Sequence, residues 1–451
     1  MFPHQDERER TSKWFGTEAG VRTRSSTAKR THAKTDDAGW RSYLRALGPG
    51  LVTGASDDDP SGVATYAQAG AQFRFGLVWA ALLTFPLMLG VQEICDRTAL
   101  ATGENLGSLA RTCFGRAGRT IIGVLLVILL AANTLNIAAD LVAIGAGANL
   151  LHGGPQTPWA LAAGLGITIL VVTGSFDTIA RVFKVLCSAL LAYVIVVFFA
   201  HVDWATVAKY TIVPHIQLTK DYIALLIAVL GTTISPYLFF WQSAHRVEEL
   251  RDEREGGRRP EPLKQRSTRA ARLKLRTSRL DVASGMAFSN VVMFAIIVAT
   301  ASTLGATGST KIDSAAQAAS ALKPVAGSIS STLFATGFIG AGFLAVPVLA
   351  GSAAAGIAGL AGWGWGFSRN PRQAPVFYVL VAVGTLGGAA FSLIGANPIS
   401  LLVIVAIVNG LAAAPFLIVV MLIARDRDLM GKYANGKLAT IVGWLTVAVM
   451  T

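Results

Sequence analysis

Three consecutive carboxylates followed by a proline, Ser56-Asp57-Asp58-Asp59-Pro60-Ser61-Gly62, stand inside an otherwise apolar stretch from about Leu44 to Ala71. Ionised side chains are costly in the core of a bilayer, so in such a segment they mark a substrate or ion path. Pro60 removes a backbone donor and Gly62 follows it, so a helix must break here. Asp59 sits where upstream carbonyls lose their helical partners, the carbonyl of Ser56 among them. A carboxylate beside free carbonyls is a hard-oxygen site suited to a cation. Capping the helix that follows is a second role open to Asp59, and the two coexist. A second interruption, Gly231-Thr232-Thr233-Ile234-Ser235-Pro236-Tyr237, lies in a later apolar segment. There the carbonyl of Thr232 and the hydroxyl of Ser235 are the equivalent elements. Paired broken helices in the two halves of a chain point to a binding site near the midplane of a transporter.

Further polar residues join these breaks. Asp57 and Asp58 project away from Asp59. One of them is expected to face the same water-filled cavity; a solvated vestibule wall is the plainer alternative. Asn133, Asn136 and Asp140 recur at helical spacing, which suits either helix–helix hydrogen bonding or the lining of a path. Asn409 is a further cavity candidate. Tyr237 and Gln242 flank the second break, where interhelical hydrogen bonding is the ordinary role. Glu93, Asp96 and Arg97 suggest a local ion pair. The histidines do not pair at metal-ligand spacing, and no Ser-His-Asp set, phosphate loop or dinucleotide fingerprint is present, so neither catalysis nor ATP-driven work is indicated. Cys95, Cys113 and Cys187 form no CxxC pair, so no disulfide or zinc framework follows.

The elements that must position these residues are membrane helices. Of the 451 residues 53% are hydrophobic and 14% charged, against about a quarter charged in soluble domains. Mean hydropathy is +0.54, and runs of about 20 apolar residues recur. The expectation is an all-α polytopic membrane protein with eleven spans, at roughly 44–70, 76–97, 120–148, 157–175, 179–200, 221–244, 282–305, 326–357, 374–394, 398–423 and 437–451. Residues 1–43 read as a basic, disordered tail with no apolar leader. Spans 1 to 5 (44–200) and 6 to 10 (221–423) share a plan, each opening with a proline-broken helix. Five is odd, so the halves insert in opposite senses, an inverted repeat. Residues 201–220 are an external loop, and 424–451 supply a loop and the last span. The net charge of +13 does not imply nucleic acid, because nearly all Lys and Arg fall in the tail and on alternate connections. That pattern puts the amino terminus in the cytosol. The largest basic block, loop 245–281, reads as a topogenic segment facing lipid headgroups, with an anionic-lipid or regulatory site as the sharper reading.

Leu47-Gly-Pro-Gly50 followed by Asp59-Pro-Ser-Gly62 resembles the opening of the Nramp family of divalent metal transporters. So do Arg97 with Thr102-Gly103 and Leu106, Asn149-Leu-Leu151 with Pro155, Ser235-Pro236-Tyr237, and Ser278-Arg-Leu-Asp281. The resemblance covers nearly the whole chain beyond the tail. It implies the LeuT-type fold with helices 1 and 6 broken, and alternating access to a metal site at Asp59. This sequence departs from the family at the site. Gly62 replaces the family's metal-binding asparagine, Ser235 its methionine, and Tyr237 the histidine after the proline. Of its acidic pair in span 3 only Asp140 remains, opposite Ile137. Losing the thioether favours a hard divalent cation, Mg²⁺ and/or Mn²⁺, in the manner of the magnesium-transporting relatives of that family. Losing the proton-relay residues favours uptake without proton coupling. The expectation is import of divalent cations across a cell inner membrane. The metal is cargo rather than cofactor, and the oligomeric state stays open. The alternatives are a proton-coupled Mn²⁺/Fe²⁺ symporter, a LeuT-fold symporter of a small organic solute, and a non-transporting sensor.

Overall fold

A computed structural model describes residues 48–173, 194–195, 197–198, 202–253, 260–308, 311–312, 314–320, 327, 330–394 and 397–451. The expected tail (1–43), most of the fifth span (179–200) and Cys187 lie outside these residues. Among the described residues there is no β-strand.

Prolines set the boundaries of the first two helices. Pro49 opens α1 (Pro49–Asp57) and Pro60 opens α2 (Pro60–Phe73), each at the first-turn position where its missing N–H costs nothing. A turn at Arg74–Leu77 leads to α3 (Trp79–Thr102), and the two arms differ in direction by 107°. α3 stops at Gly103, which takes φ +72°, the left-handed conformation glycine adopts freely. α4 (Leu106–Cys113) is capped by Asn105; α5 (Arg116–Leu150) and α6 (Gln156–Thr173) follow. α7 (Trp204–Ile212) lies in the connection to the second half. Pro236 separates α8 (Lys220–Thr233) from α9 (Pro236–Asp252). α10 (Thr268–Ser302), α11 (Ser330–Ala361), α12 (Pro375–Phe391), α13 (Pro398–Arg425) and α14 (Lys437–Met450) complete the bundle.

Seven helical segments among the described residues are long and apolar enough to cross a membrane, or eight with the bent pair. Every expected span except the fifth has its helix or helix pair. Both breaks fall where the prolines place them. The expected loop 245–281 is corrected: α9 extends to Asp252 and α10 begins at Thr268. Ser267 caps that helix, its hydroxyl accepting from Ala270 N–H at 3.3 Å. The Ala, Arg, Lys and Leu that follow are strong helix formers, and their charge had excluded them from an apolar span.

Buried apolar side chains form two main clusters on either side of the breaks. One gathers Val52, Leu238, Phe240, Leu349 and Phe416; the other gathers Val63, Tyr66, Val229, Ile296 and Phe338. The chain passes from the first to the second across Asp57–Asp59. α1 and α10 cross closely at glycines: a Cβ on Gly54 would lie 2.1 Å from the Gly285 carbonyl oxygen, and one on Gly285 would lie 2.0 Å from that of Gly50. Such close approach of two backbones is the packing that small residues allow in membrane helices.

Candidate functional site

The first break is held open by its own side chains. Asp59 is the N-cap of α2. Its Oδ1 accepts from the Gly62 N–H at 2.7 Å and the Ser61 hydroxyl at 2.5 Å. Its Oδ2 turns to other helices, accepting from Asn136 Nδ2 of α5 at 3.1 Å, with the Tyr237 hydroxyl of α9 at 3.4 Å. That phenol also lies 3.3 Å from the Ser56 carbonyl oxygen. Its proton therefore sits between two oxygens. Asp59 is 2% exposed, and Ser56 is fully buried, so this conformation shuts the site from both sides.

The second break is arranged differently. The Ser235 hydroxyl turns back and donates toward the Gly231 and Thr232 carbonyl oxygens, at 2.6 and 2.9 Å. Thr232 and Ser235 are thus paired with each other rather than aimed at Asp59. The Thr232 hydroxyl lies 3.1 Å from that of Tyr66. Gly62 faces the same tyrosine: a Cβ there would meet the Asp57 carbonyl oxygen at 3.2 Å and the Tyr66 ring at 3.3 Å. The space an asparagine side chain would need at position 62 is therefore filled by Tyr66.

Asp57 and Asp58 do not line a solvated wall. Both are fully buried and share one hydroxyl of α10, with Ser289 Oγ 2.5 Å from Asp57 Oδ2 and 3.3 Å from Asp58 Oδ1. They point to α10, whereas Asp59 points to α5 and α9. Asp140 follows Asn136 by four residues, hence on the same face of α5. It is fully buried, and neither carboxylate oxygen has a hydrogen-bond partner among the described residues. Asn409 is likewise buried with its side-chain amide unpartnered. It adjoins Gly410, which touches Gly231 at the α8–α13 crossing, where a Cβ on Gly231 would lie 2.4 Å from the Gly410 nitrogen. Unpaired polar atoms this deep carry a large desolvation cost, which a hydrated ion or water would relieve. Asn133 turns instead to α11, donating to the Leu349 carbonyl at 2.8 Å. Among the described residues no three His, Cys, Asp or Glu side chains converge to hold a metal ion.

Beside the site, the end of the bundle richest in Lys and Arg is tied by a buried network. The Asp281 carboxylate of α10 caps α1, accepting from the N–H groups of Gly48, Gly50 and Leu51 at 2.9, 2.8 and 3.2 Å. Arg246 of α9 donates to Asp281 at 2.9 Å and to Asp96 of α3 at 2.5 Å, and also pairs with Glu249. Gln242 donates to Asp96 at 2.7 Å and lies 2.5 Å from the Thr53 hydroxyl of α1. Arg246 is 2% exposed, so it does not face lipid headgroups as expected of the basic block. The expected pair of Arg97 forms with Glu93, at 3.1 Å, while Asp96 joins the network instead. Sequence reasoning missed Ser289, Tyr66 and Arg246. Only the polarity of Ser289 inside an apolar run could have flagged it.

Known proteins resemble this chain in sequence and in fold. The sequence profile of the Nramp family, natural resistance-associated macrophage protein-like, matches residues 50–451. The chain is 25% identical over 418 residues to the divalent metal cation transporter MntH of Aeromonas hydrophila, covering 90% of this chain and 93% of the relative. It is 24% identical over 429 residues to MntH of Klebsiella pneumoniae, covering 94% and 96%. In structure it is similar to a manganese transporter of Eremococcus coleocola, with a TM-score of 0.69 at 16% identity over 92% of this chain and 86% of the other. It is also similar to Mhp1, a nucleobase-cation-symport-1 family transporter, with a TM-score of 0.55 at 14% identity over 90% and 91%. With two broken helices at the centre of a LeuT-type bundle and a profile match from the first of them to its last residue, this chain belongs to the Nramp family.

Proposed function

We propose that this protein imports divalent metal cations by alternating access, with Asp59 as the central ligand. The observation that carries this reading is the Asp59 carboxylate at a helix break, its Oδ2 and the Ser56 carbonyl oxygen both within 3.4 Å of one phenol proton donor. A cation displacing that phenol gains the two oxygens. The Thr232 carbonyl and the Ser235 hydroxyl join when the second break turns toward the first. Asn136, Asp140 and Asn409 supply polar groups for retained water. Relatives named as divalent metal cation transporters support the substrate class.

The donor set favours Mg²⁺, with Mn²⁺ also accepted, because Ser235 offers oxygen where a thioether would select softer ions. The basic end is cytosolic, as the placement of Lys and Arg supports, and the membrane crossed is a cell inner membrane. Entry is driven by membrane potential, worth about 4–5 kcal/mol per 100 mV for a divalent ion. One observation favours a second reading, proton-coupled Mn²⁺ symport: Asp140 is a buried, unpartnered carboxylate on the Asn136 face. Flux into proteoliposomes separates the two, with Mg²⁺ and Mn²⁺ assayed apart and internal pH recorded. Mg²⁺ entry that requires Asp59 and leaves pH unchanged is the expected result. Mn²⁺ entry with acidification and no Mg²⁺ entry establishes the second reading instead.

A further inference from the structure

Away from the transport site, α3, α10 and α14 enclose a groove of about 820 Å³, within the size range of small-molecule sites, about 300–1,000 Å³. Its two parts differ in chemistry, and α3 and α10 agree on which end is which. One part of the groove is apolar, made by Pro86 and Leu89 of α3, Ala283 of α10, and Ala439 and Val442 of α14. The other part carries Arg97, Arg279, Lys432 and Lys437, with Glu93 as the single acid. On α3, Arg97 lies two to three turns nearer the basic end than Leu89 and Pro86, and on α10, Arg279 lies one turn nearer it than Ala283.

The charges are not equally engaged. Arg97 is used up by Glu93 at 3.1 Å, by the Tyr433 carbonyl, and by Asn435 Oδ1 at 2.8 Å. Arg279 reaches Glu93 at 2.8 Å but is 55% exposed. Lys432 lies over the Tyr433 ring at 5.3 Å from its centre and is exposed, as is Lys437. One acid therefore faces four cations, and the remaining positive charge sits at the rim. Leu438 at the edge of the groove, and Ile441 and Leu280 beside it, are 75%, 64% and 48% exposed, so its flank faces hydrocarbon.

We infer that this groove is a binding site for an anionic phospholipid, the headgroup phosphate held by Arg279, Lys432 and Lys437 and an acyl chain lying along Leu89, Ala439 and Val442. Charge complementarity at the rim and an apolar, lipid-facing floor match both parts of that one molecule, and juxtamembrane basic residues attract anionic lipid. The site lies on the outer faces of α3 and α10, whose inner faces hold Asp96 and Asp281, and so adjoins the buried network without sharing its residues.

The test uses the full chain purified in a neutral detergent, with thermal unfolding recorded after adding phosphatidylglycerol, phosphatidylcholine of the same chains, or inorganic phosphate. Phosphatidylglycerol is expected to raise Tm over the other two. The double variant Lys432→Ala/Lys437→Ala should lose at least half of that rise relative to its own lipid-free Tm. Arg116→Ala, an exposed basic residue at the start of α5, should keep it. Native mass spectrometry provides a readout independent of stability: phosphatidylglycerol retained by the wild type and lost from the double variant. Equal shifts with phosphatidylcholine, an equal shift with phosphate, or an undiminished shift in the double variant each overturn the assignment.

Discussion

Replacing Arg246 with methionine removes the cation shared by Asp96 and Asp281 while keeping much of its length. Both carboxylates are about 2–3% exposed, so neither has water to replace the lost partner. Breaking a buried ion pair from one side costs about 3–5 kcal/mol, because a charge is left uncompensated. The chain can avoid that cost by letting α1 move away from α10, which hydrates Asp281 and frees the N–H groups of Gly48, Gly50 and Leu51. At about 1.4 kcal/mol per factor of ten, the balance between closed and open forms shifts by about two to three orders of magnitude. Val52 on α1 is 4% exposed in the closed form. A Val52→Cys reporter in a background without native cysteines measures the shift, as the rate of labelling by a hydrophilic maleimide. Arg246→Met should raise that rate at least a hundredfold, while Arg246→Lys, which keeps the charge but not the planar fork, should raise it less. A rate within threefold of the parent, with the protein still folded, would refute the argument that this network holds α1 closed.

Other expectations follow from the same geometry. Asp59→Ala and Asp59→Asn should both abolish calorimetric metal binding and flux, whereas Tyr237→Phe, which removes only two long contacts, should change affinity by about 2–10-fold, the worth of one weak hydrogen bond of about 0.5–1.5 kcal/mol. Ser235→Met should move the ratio of Mn²⁺ to Mg²⁺ flux toward Mn²⁺ by adding a soft donor; an unchanged ratio would mean that position 235 does not meet the ion. Gly54→Ala places a methyl where the Gly285 backbone stands, so it should lower thermal stability by about 1–3 kcal/mol of overpacking strain. A Tm equal to the parent would show that α1 and α10 are not in contact in the membrane.

The breaks were legible in the sequence because proline acts locally: Pro60 and Pro236 end a helix whatever surrounds them. The stripe Asn133, Asn136, Asp140 was legible as a stripe, since helical spacing fixes a shared face. It could not show that Asn133 would serve α11 while Asn136 serves Asp59, because that depends on which neighbour stands opposite. The start of α10 was hidden by charge, for a hydropathy reading stops where Arg and Lys begin even though the helix does not. Arg246 was hidden more deeply. It lies in a basic block that suggests surface, and the acids that bury it, Asp96 and Asp281, come from two other helices. The pairing of Asp57 and Asp58 with Ser289 has the same origin, a contact across 232 positions for Asp57.

The glycine joint between α1 and α10 has a kinetic consequence. Interlocked side chains must unmesh before two helices part, and that friction slows a transition without favouring either end state. Gly50, Gly54 and Gly285 offer nothing to unmesh; their surfaces are smooth. Where these glycines cross, resistance to parting is left to the groups beside them, the Arg246 network among them. If α1 swings during transport, this joint would serve as a bearing and the Arg246 network as its latch, the latch setting how often the helix opens and the bearing how fast it moves once released.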